Sequence, residues 1–462
     1  MKRAAWAIAA ISIAAAFVAM LVFLVGTIRV RWPFFGEAET VFEAARIRAG
    51  LPLFVDPLIG AREYGAPYSR YYVTYPPVFT VLVSLLPSSV ALVGSRVLSC
   101  LAWFGGLGYL IVTARKECRP NAIASALFVA GIWIIANFAG TGRPDAAACG
   151  LAAFGLGRAL RRGRIDLLST VLLVLAPWTK PSLLGLPAGA FLGEAIATRK
   201  IGGIFRAIAV CAIVAAILGI ASGGQVFEHS FRSMAQPFTL ATWLENVPSR
   251  APFFVPLLLV AGWIAWRRRH EPTPMIALGA LSVASVWILF SLAKTGAAAN
   301  YWMEPCIAAV ALLAQVEGPY RFGKSGLAAA TLTAASVLYA DVAAIDGSVS
   351  RLTRYRREAV FLATVRDRCG AGPNDVIASD VSGLELLLDG RIVEPAYQMT
   401  FLALAGRYPV EVWLRDLEMP NVRCFVRTSD LLDALPPIAR YISSSFVPVA
   451  REGDMVLLRR VP

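Results

Sequence analysis

The sequence predicts an α-helical protein that crosses a membrane about eleven times and carries a small C-terminal α/β or α+β domain outside it. Of the 462 residues, 57% are hydrophobic and only 16% are charged. A soluble protein of this length needs more polar surface. Apolar runs of roughly 17–25 residues, long enough to span a bilayer, recur up to residue 345, whereas residues 346–462 are more polar. We therefore divide the chain into a membrane domain, 1–345, and a C-terminal domain, 346–462.

The spans are predicted from these apolar runs. The first follows Met1-Lys-Arg, is too long for a signal-peptide core and lacks a small-residue cleavage site, so we interpret it as retained. Residues 77–87 are apolar but short and begin with two prolines, which favours a re-entrant or interfacial helix. The predicted spans cover residues 4–28, 90–114, 121–140, 144–160, 166–180, 181–198, 204–222, 251–266, 274–293, 301–316 and 325–345.

Short basic groups between the spans set the predicted orientation. They include Lys2-Arg3, Arg161-Arg162 and Arg199-Lys200, and they fall on one side of the bundle. By the positive-inside rule that side is cytoplasmic. The N-terminus is then inside and residues 346–462 are outside. Because the basic residues are dispersed, topology explains the net charge of +14 better than binding to nucleic acid does.

Five polar elements fall on the opposite, outer face. Carboxylates just outside a span, in a chain that avoids charge, are costly and usually functional. A carrier more often places its polar groups near the midplane of broken helices. The pattern therefore favours a site at the outer interface. The five elements are the first loop at 29–76, Arg143-Pro-Asp145, Lys180, the loop at 223–250 and the segment from Lys294 to Glu304.

The C-terminal region predicts short strands near 375–379, 391–393, 424–427 and 454–459, with a helix at 429–441. It contains no Gly-rich turn typical of nucleotide binding. Cys369 and Cys424 could form a disulfide if the region faces an oxidising compartment. The cysteines show no metal-ligand spacing, and the two histidines predict no zinc site.

Seven motifs, taken in chain order, resemble the GT-C superfamily of integral-membrane glycosyltransferases. The likeness is to the bacterial family-39-type proteins, relatives of the protein O-mannosyltransferases and the lipid A aminoarabinose transferase, and it extends to about residue 345. The motifs are Gly36-Glu37-Ala-Glu39, Gly50-Leu-Pro-Leu-Phe-Val-Asp56, Tyr75-Pro76-Pro77, Ser95-Arg96, Arg143-Pro-Asp145, Thr179-Lys180 and Asn300-Tyr301-Trp-Met-Glu304.

The resemblance implies a polyprenyl-phosphate-sugar donor and a catalytic base in the first outer loop. Many relatives carry an acidic pair such as Asp-Glu there, whereas this chain has Glu37 and Glu39 one residue apart. Which of the two corresponds to the base is therefore open.

A carboxylate must take the proton of the acceptor hydroxyl during glycosyl transfer. We assign this role to Glu37, with Glu39 as its substitute or orienting partner. In the alternative, both glutamates only favour the dipole at the start of a helix. Glu43, near Arg46, predicts a solvated ion-pair face.

The leaving lipid phosphate gains charge, which cations can stabilise. Arg143, Lys180 and Lys294 are the candidates, and Arg96 is a further one. Interfacial snorkelling is the alternative for Lys180. An ion pair with Asp145 is the alternative for Arg143.

Sugar contacts are predicted for Asp145, Asn300, Tyr301 and Glu304, whose groups can hold or stack on a sugar. An aromatic belt at the membrane boundary is the alternative for Tyr301. Asp145 could also bind a divalent metal, although no carboxylate pair has a diagnostic spacing. Tyr75 is expected to be structural, because Pro76 and Pro77 fix the entry into the next helix.

These inferences predict a glycosyltransferase of the bacterial inner membrane. It would pass a hexosyl or pentosyl group from a polyprenyl-phosphate donor to a glycan, lipid or protein acceptor at the periplasmic face. Inversion is the expected stereochemistry, because direct attack with a single base is the simplest scheme. A transporter or lipid flippase is the main alternative, and a catalytically silent membrane scaffold is another. The sugar and the acceptor are not specified by the sequence.

Overall fold

The computed structural model describes residues 2–30, 32–33, 36–55, 73–232, 236–248, 251–267, 272–294, 297–316, 353, 356–369, 376–380 and 396–461. Helices dominate, as predicted. The helices before the C-terminal domain are α1 (Lys2–Arg29), α2 (Glu37–Arg48), α3 (Val78–Ser84), α4 (Ala91–Thr113), α5 (Arg119–Gly131), α6 (Trp133–Ala139), α7 (Pro144–Arg162), α8 (Leu167–Thr179), α9 (Gly185–Thr198), α10 (Gly202–Ala221), α11 (Gln225–Phe227), α12 (Leu240–Asn246), α13 (Ala251–Arg267), α14 (Pro272–Ser291) and α15 (Met303–Leu313).

Every predicted span up to residue 316 contains helix, and the span at 325–345 lies outside the described residues. The predicted span at 121–140 is two helices, since the backbone at Ile132 is extended with ψ of 107°. Within the described residues, three helices are long and apolar enough to cross a membrane, and two more are apolar but shorter. The count of about eleven spans stays a prediction. The three are Ser88–Thr113, Gly202–Ala221 and Thr273–Ser291, and the shorter two are Ile13–Arg29 and Leu167–Thr179.

Small residues let α9 and α14 pack closely. Gly185, Gly189 and Gly193 recur every fourth residue on one face of α9. A β-carbon at Gly189 would collide with the backbone of Gly279 on α14, so both positions require glycine. Such close backbone approach is the usual way in which membrane helices associate.

Helix α15 lies in the centre of the bundle, and its residues from Met303 to Leu312 are all buried. A short 3-10 turn, Ala299–Trp302, precedes it and carries Asn300 and Tyr301. The central position of α15 therefore brings these two side chains to the middle of one end of the bundle.

The C-terminal domain contains a four-stranded sheet in the order β1-β2-β4-β3. Strands β1 and β2 are parallel, and the other neighbours are antiparallel. This arrangement confirms the expected small domain of mixed helix and strand. The strands are β1 (Val376–Ser379), β2 (Val422–Arg427), β3 (Phe446–Glu452) and β4 (Met455–Arg460), and the helices are α16 (Ala396–Leu404), α17 (Val410–Glu418) and α18 (Pro436–Ser445).

The predicted helix at 429–441 was placed too early. Residues Leu431–Ala434 form a 3-10 turn, and α18 begins only at Pro436. Two consecutive prolines fit the first turn of a helix but not its interior, so they set its start. Strand β3 was not predicted, and it contains Pro448. The strand expected at 391–393 lies outside the described residues.

The C-terminal domain packs on the end of α1. The rings of Trp32, just after α1, and Phe361 are 6.4 Å apart, and Val30 belongs to the same apolar cluster as β2 and β4 residues. Cys369 and Cys424 form a disulfide with a Cα–Cα distance of 6.2 Å. The domain therefore covers the end of the bundle at which the first loop begins.

Glu43 does not lie on a solvated face, and that expectation was wrong. Its side chain is buried and accepts a hydrogen bond of 2.9 Å from Thr80 Oγ1 on α3. Burial raises the pKa of the Glu43 carboxyl well above its ordinary value. Arg46 is also buried, and its guanidinium donates to the Pro52 carbonyl at 2.8 and 3.1 Å.

Candidate active site

A cavity of about 470 Å³ lies between the end of the bundle and helix α16 of the C-terminal domain. All five polar elements that the sequence analysis assigned to one face contribute to its wall. Their convergence follows from the fold, since no two of them are neighbours in sequence. The polar and aromatic lining residues include Thr74, Tyr75, Asn137, Arg143, Lys180, Ser230, Gln236, Lys294, Asn300, Tyr301, Tyr397 and Gln398.

The carboxylate of Asp145 contacts three other polar side chains at this end of the bundle. Pro144 begins α7, and this turn brings Arg143 Nε to 3.2 Å from Asp145 Oδ2. Asp145 Oδ1 accepts from Lys180 Nζ and from Asn300 Nδ2. The carboxylate is only 1% exposed. The ion pair considered as an alternative for Arg143 therefore exists, and the same arginine also lines the cavity.

Tyrosine side chains surround the two cations. Arg143 Nη2 donates to the Tyr75 hydroxyl at 3.0 Å. The Lys180 ammonium lies 5.8 Å from the Tyr75 ring centre and 5.5 Å from that of Tyr301, within range of a cation–π interaction. Burial raises the pKa of Tyr75, although the charge of Arg143 opposes the rise. Tyr75, expected to be structural, is thus also part of the cavity.

Glu37 is held by Arg96 and by the backbone. Arg96 Nε and Nη2 donate to Glu37 Oε1 and Oε2 at 2.9 and 2.6 Å, and both side chains are fully buried. The Gly142 N–H donates to Oε1 at 2.6 Å. Arg96 also donates to the carbonyls of Thr27 and Trp32. Glu37, Glu39 and Arg96 are not among the residues that line the cavity.

Glu39 lies in the first turn of α2, close to Arg143. Gly36, in the left-handed conformation with φ of 76°, precedes the helix. A β-carbon at Gly36 would lie 3.5 Å from Glu39 Oε2 and 3.4 Å from Arg143 Nε. The charge of Glu39 also acts on Tyr75 and Tyr397, two residues of the cavity wall.

Lys294 lines the cavity from the loop after α14. In the described part of the chain, no carboxylate forms an ion pair with its ammonium group. Its charge acts on Lys180, and burial lowers its own pKa. Phe238 pairs with Lys294 in an isolated β-bridge.

Glu304 contacts the backbone of a neighbouring helix. Its Oε1 accepts a hydrogen bond of 2.5 Å from the N–H of Leu186, in the first turn of α9. A carboxylate there favours the helix dipole. Glu304 also lines a small cavity together with Asp145, Lys180 and Asn300. Lys180 and Asn300 line the main cavity as well.

Several lining residues were not predicted. Tyr397, Gln398 and Phe401 come from α16, and Ser230 comes from a short π-helical turn. The only sequence signal on α16 was the aromatic pair Tyr397 and Phe401 at helical spacing. Such a pair is equally common in protein cores.

The described residues contain no group of three or more His, Cys, Asp and Glu side chains that could hold a metal ion. His229 forms hydrogen bonds with two backbone groups. Its Nδ1 accepts from the Val73 N–H at 3.0 Å, and its Nε2 donates to the Val55 carbonyl at 2.7 Å. The divalent metal considered for Asp145 stays a prediction.

The comparisons with known proteins concern the whole fold. The sequence matches no protein-family model and is similar to no curated protein. The structure is similar to the crystal structure of ArnT from Cupriavidus metallidurans in the apo state, with a TM-score of 0.62 and 15% identity, covering 100% of this chain and 99% of that one. The chain has the ArnT fold.

A second crystal structure of the same ArnT, bound to undecaprenyl phosphate, gives a TM-score of 0.59 at 14% identity and covers 96% of this chain and 97% of that one. The coverage includes both the helical bundle and the C-terminal domain. The two structures therefore show a fold like that of ArnT. At this identity the likeness concerns the fold alone, and the GT-C assignment from the motifs stays a prediction.

Proposed function

We propose that the protein is a membrane glycosyltransferase that moves a sugar from a polyprenyl-phosphate donor to an acceptor. The main support is the cavity in which Arg143, Lys180 and Lys294 meet Asn300 and Tyr301, within a fold like that of ArnT. One of the ArnT structures contains undecaprenyl phosphate. A cavity that combines cations with aromatic and amide groups suits a sugar attached to a phosphate.

Lys294 is the proposed main partner of the donor phosphate. Arg143 and Lys180 already share Asp145, whereas no described carboxylate pairs with Lys294. Lys180 and Lys294 lie close enough for their charges to interact, and an anion between them would relieve that repulsion. The two lysines would stabilise the negative charge that develops on the departing phosphate.

The isoprenoid chain would leave the cavity beside Lys294. Phe238 and Leu240 are exposed there, and the rings of Phe238 and Phe290 are 4.9 Å apart. A groove of about 360 Å³ lies between Phe238, Leu240 and Trp243. Exposed apolar side chains next to a cation suit a lipid with a charged head group.

The sugar would lie against Tyr301 and Asn300. Asn300 Nδ2 is fixed by Asp145, while its Oδ1 makes no hydrogen bond with the described residues. That oxygen could accept from a sugar hydroxyl. Asp145 then acts mainly by neutralising the two cations and orienting Asn300.

Of the two glutamates, we favour Glu39 as the base. Both carboxylate oxygens of Glu37 are held by Arg96 and Gly142, which suits the orienting of α2 better than proton transfer. Glu39 lies two residues further along the same helix, and its charge acts on Arg143 and on the wall residues Tyr75 and Tyr397. Glu37 stays the alternative base, and the two are separable by mutation.

The reaction would be a direct displacement. The acceptor oxygen forms a bond to the anomeric carbon as the bond from that carbon to the phosphate oxygen breaks. The acceptor proton passes to the glutamate, and polyprenyl phosphate leaves with the electron pair beside Lys294. One displacement inverts the configuration at the anomeric carbon.

The site would face the periplasm, with the N-terminus in the cytoplasm. The disulfide Cys369–Cys424 supports an oxidising compartment for the C-terminal domain. That domain lies at the same end of the bundle as the cavity, so both would be outside. The basic groups of the other end agree with the positive-inside rule.

Purified protein in lipid nanodiscs, incubated with a panel of polyprenyl-phosphate sugars and membrane extract as acceptor source, tests the proposal. Consumption of one donor with release of polyprenyl phosphate is the expected result. Movement of intact donor across a vesicle membrane without consumption would instead support the transporter or flippase alternative. A protein that neither consumes nor moves any donor would be neither a glycosyltransferase for these donors nor a transporter of them.

A further inference from the structure

Helix α16 brings the C-terminal domain into the wall of the cavity. Tyr397, Gln398 and Phe401 line it, and the two aromatic rings are 4.7 Å apart. Gln398 is 8% exposed, and its Nε2 donates to Thr74 Oγ1 at 2.6 Å. This bond ties α16 to the segment that leads into α3.

The carbonyl oxygen of the Gln398 amide has no such hydrogen bond. Gln398 Oε1 is buried and makes no hydrogen bond with any described residue. Buried side-chain carbonyls are almost always hydrogen-bonded in native proteins, so an exception requires an explanation. Gln398 lines the cavity, so a ligand bound there would supply the missing hydrogen-bond donor.

Two further oxygens of the same cavity share this property. Ser230 Oγ and Asn300 Oδ1 are buried and make no hydrogen bond within the described part of the chain. The three residues come from three separate segments. Neutral oxygens distributed around one cavity are suited to a ligand with several hydroxyl groups, each of which can donate a hydrogen bond.

We infer that Gln398 is a sugar-binding residue supplied by the C-terminal domain, accepting a hydrogen bond from a hydroxyl of the sugar that is transferred. The inference rests on the proposed function and extends it, since it places part of the sugar specificity outside the membrane bundle. Tyr397 and Phe401 add an apolar surface against which the carbon face of the sugar packs. Gln398 also has a structural role, because its amide nitrogen donates a hydrogen bond to Thr74.

Two variants separate the sugar contact of Gln398 from its hydrogen bond with Thr74. Gln398→Met keeps the length of the side chain and removes both the acceptor and the donor. Thr74→Val removes the bond between α16 and this segment but leaves the Gln398 carbonyl in place. Leu404→Met, at the exposed end of α16, is the control for a change in the helix that does not reach the cavity.

The measurement is steady-state kinetics with the donor that the wild type consumes. We expect Gln398→Met to raise KM about three- to tenfold, the loss of one hydrogen bond, with kcat within about twofold of the wild type. Thr74→Val should raise KM less, and Leu404→Met should not change it. A donor analogue that lacks the contacted hydroxyl should bind wild type and Gln398→Met equally well.

Three results would overturn the inference. Unchanged KM in Gln398→Met shows that the oxygen has no contact with the sugar, and equal losses in Gln398→Met and Thr74→Val show a purely structural bond. A wild type that consumes no donor removes the proposed function and this inference with it. If Gln398→Met does not fold, Gln398→Asn withdraws the carbonyl by one methylene and should raise KM as well, and unchanged KM in that variant overturns the inference.

Discussion

Arg96 on α4 and Glu37 on α2 form a two-point ion pair, Nε to Oε1 at 2.9 Å and Nη2 to Oε2 at 2.6 Å, in which both side chains are fully buried. The same guanidinium holds carbonyls at the end of α1 and after it. One arginine thus fixes three chain segments beside the cavity. The start of α2, which carries Glu39, is positioned by this contact.

Arg96→Met should lower the stability of the protein strongly, because it leaves the Glu37 carboxylate buried without its cation. Removal of one partner of a buried pair costs about 3–5 kcal/mol. Arg158→Met is the matched control, since the Arg158–Asp166 pair is partly exposed, at 27% and 22%, and solvent screens it. Thermal unfolding in detergent should show a clearly lower Tm for Arg96→Met than for Arg158→Met. Equal shifts would contradict the importance of burial here.

The two glutamates should respond differently to neutralisation. Glu39→Gln is expected to lower kcat by roughly 10²–10⁴-fold, the usual contribution of a general base, with donor KM little changed. Glu37→Gln should lower Tm and reduce kcat less, because it weakens the contact with Arg96. Full activity in Glu39→Gln with loss in Glu37→Gln would assign the base to Glu37. Full activity in both folded variants would exclude a base in this loop.

Much of the fold followed from apolar runs, whose length and spacing reflect the bilayer. The breaks between helices could not be predicted in this way. Ile132 interrupts a continuous apolar run, and nothing in its side chain signals a break. The C-terminal strands β1, β2 and β4 were predicted from β-branched residues, whereas β3 contains Pro448 and was not.

The candidate site was predicted only in part, for a related reason. Arg143, Asp145 and Lys180 stand out because a charge at the end of an apolar run is unusual. Gln398 and Ser230 are ordinary polar residues in ordinary surroundings, and only the docking of α16 on the bundle brings Gln398 to the cavity. Glu43 was placed wrongly because its spacing from Arg46 matches a surface pair, while the packing of α3 against α2 buries it.

The pH dependence of donor capture should reveal Lys294. Burial lowers the pKa of Lys294 below the ordinary value, so it loses its proton at a lower pH than a solvated lysine. If its cation holds the donor phosphate, kcat/KM should fall as pH rises through this lowered pKa. Lys294→Arg should shift that fall to higher pH, because arginine stays charged. An identical alkaline limb in both proteins would assign it to another group.

His229 should be important for stability rather than catalysis. It joins the Val55 carbonyl to the Val73 N–H through the two nitrogens of one neutral ring, and it is fully buried. His229→Ala leaves both backbone groups without these bonds, at about 1–3 kcal/mol for each unsatisfied group. His229→Gln, which keeps a donor and an acceptor, should lose less. Tm values in the order wild type, Gln, Ala are expected, and an unchanged Tm in His229→Ala would contradict the role.

The sidedness of the cavity can be tested through the C-terminal domain, because the two lie at the same end of the bundle. A cysteine in place of the exposed Arg451 should react with a membrane-impermeant maleimide in intact cells, whereas one in place of the exposed Arg161 should react only after lysis. The protein without an engineered cysteine gives the background from its own thiols. Cys369 and Cys424 should resist alkylation until a reductant is added, since they are paired. Labelling at position 161 in intact cells, with protection at position 451, would show the opposite orientation. The cavity would then face the cytoplasm.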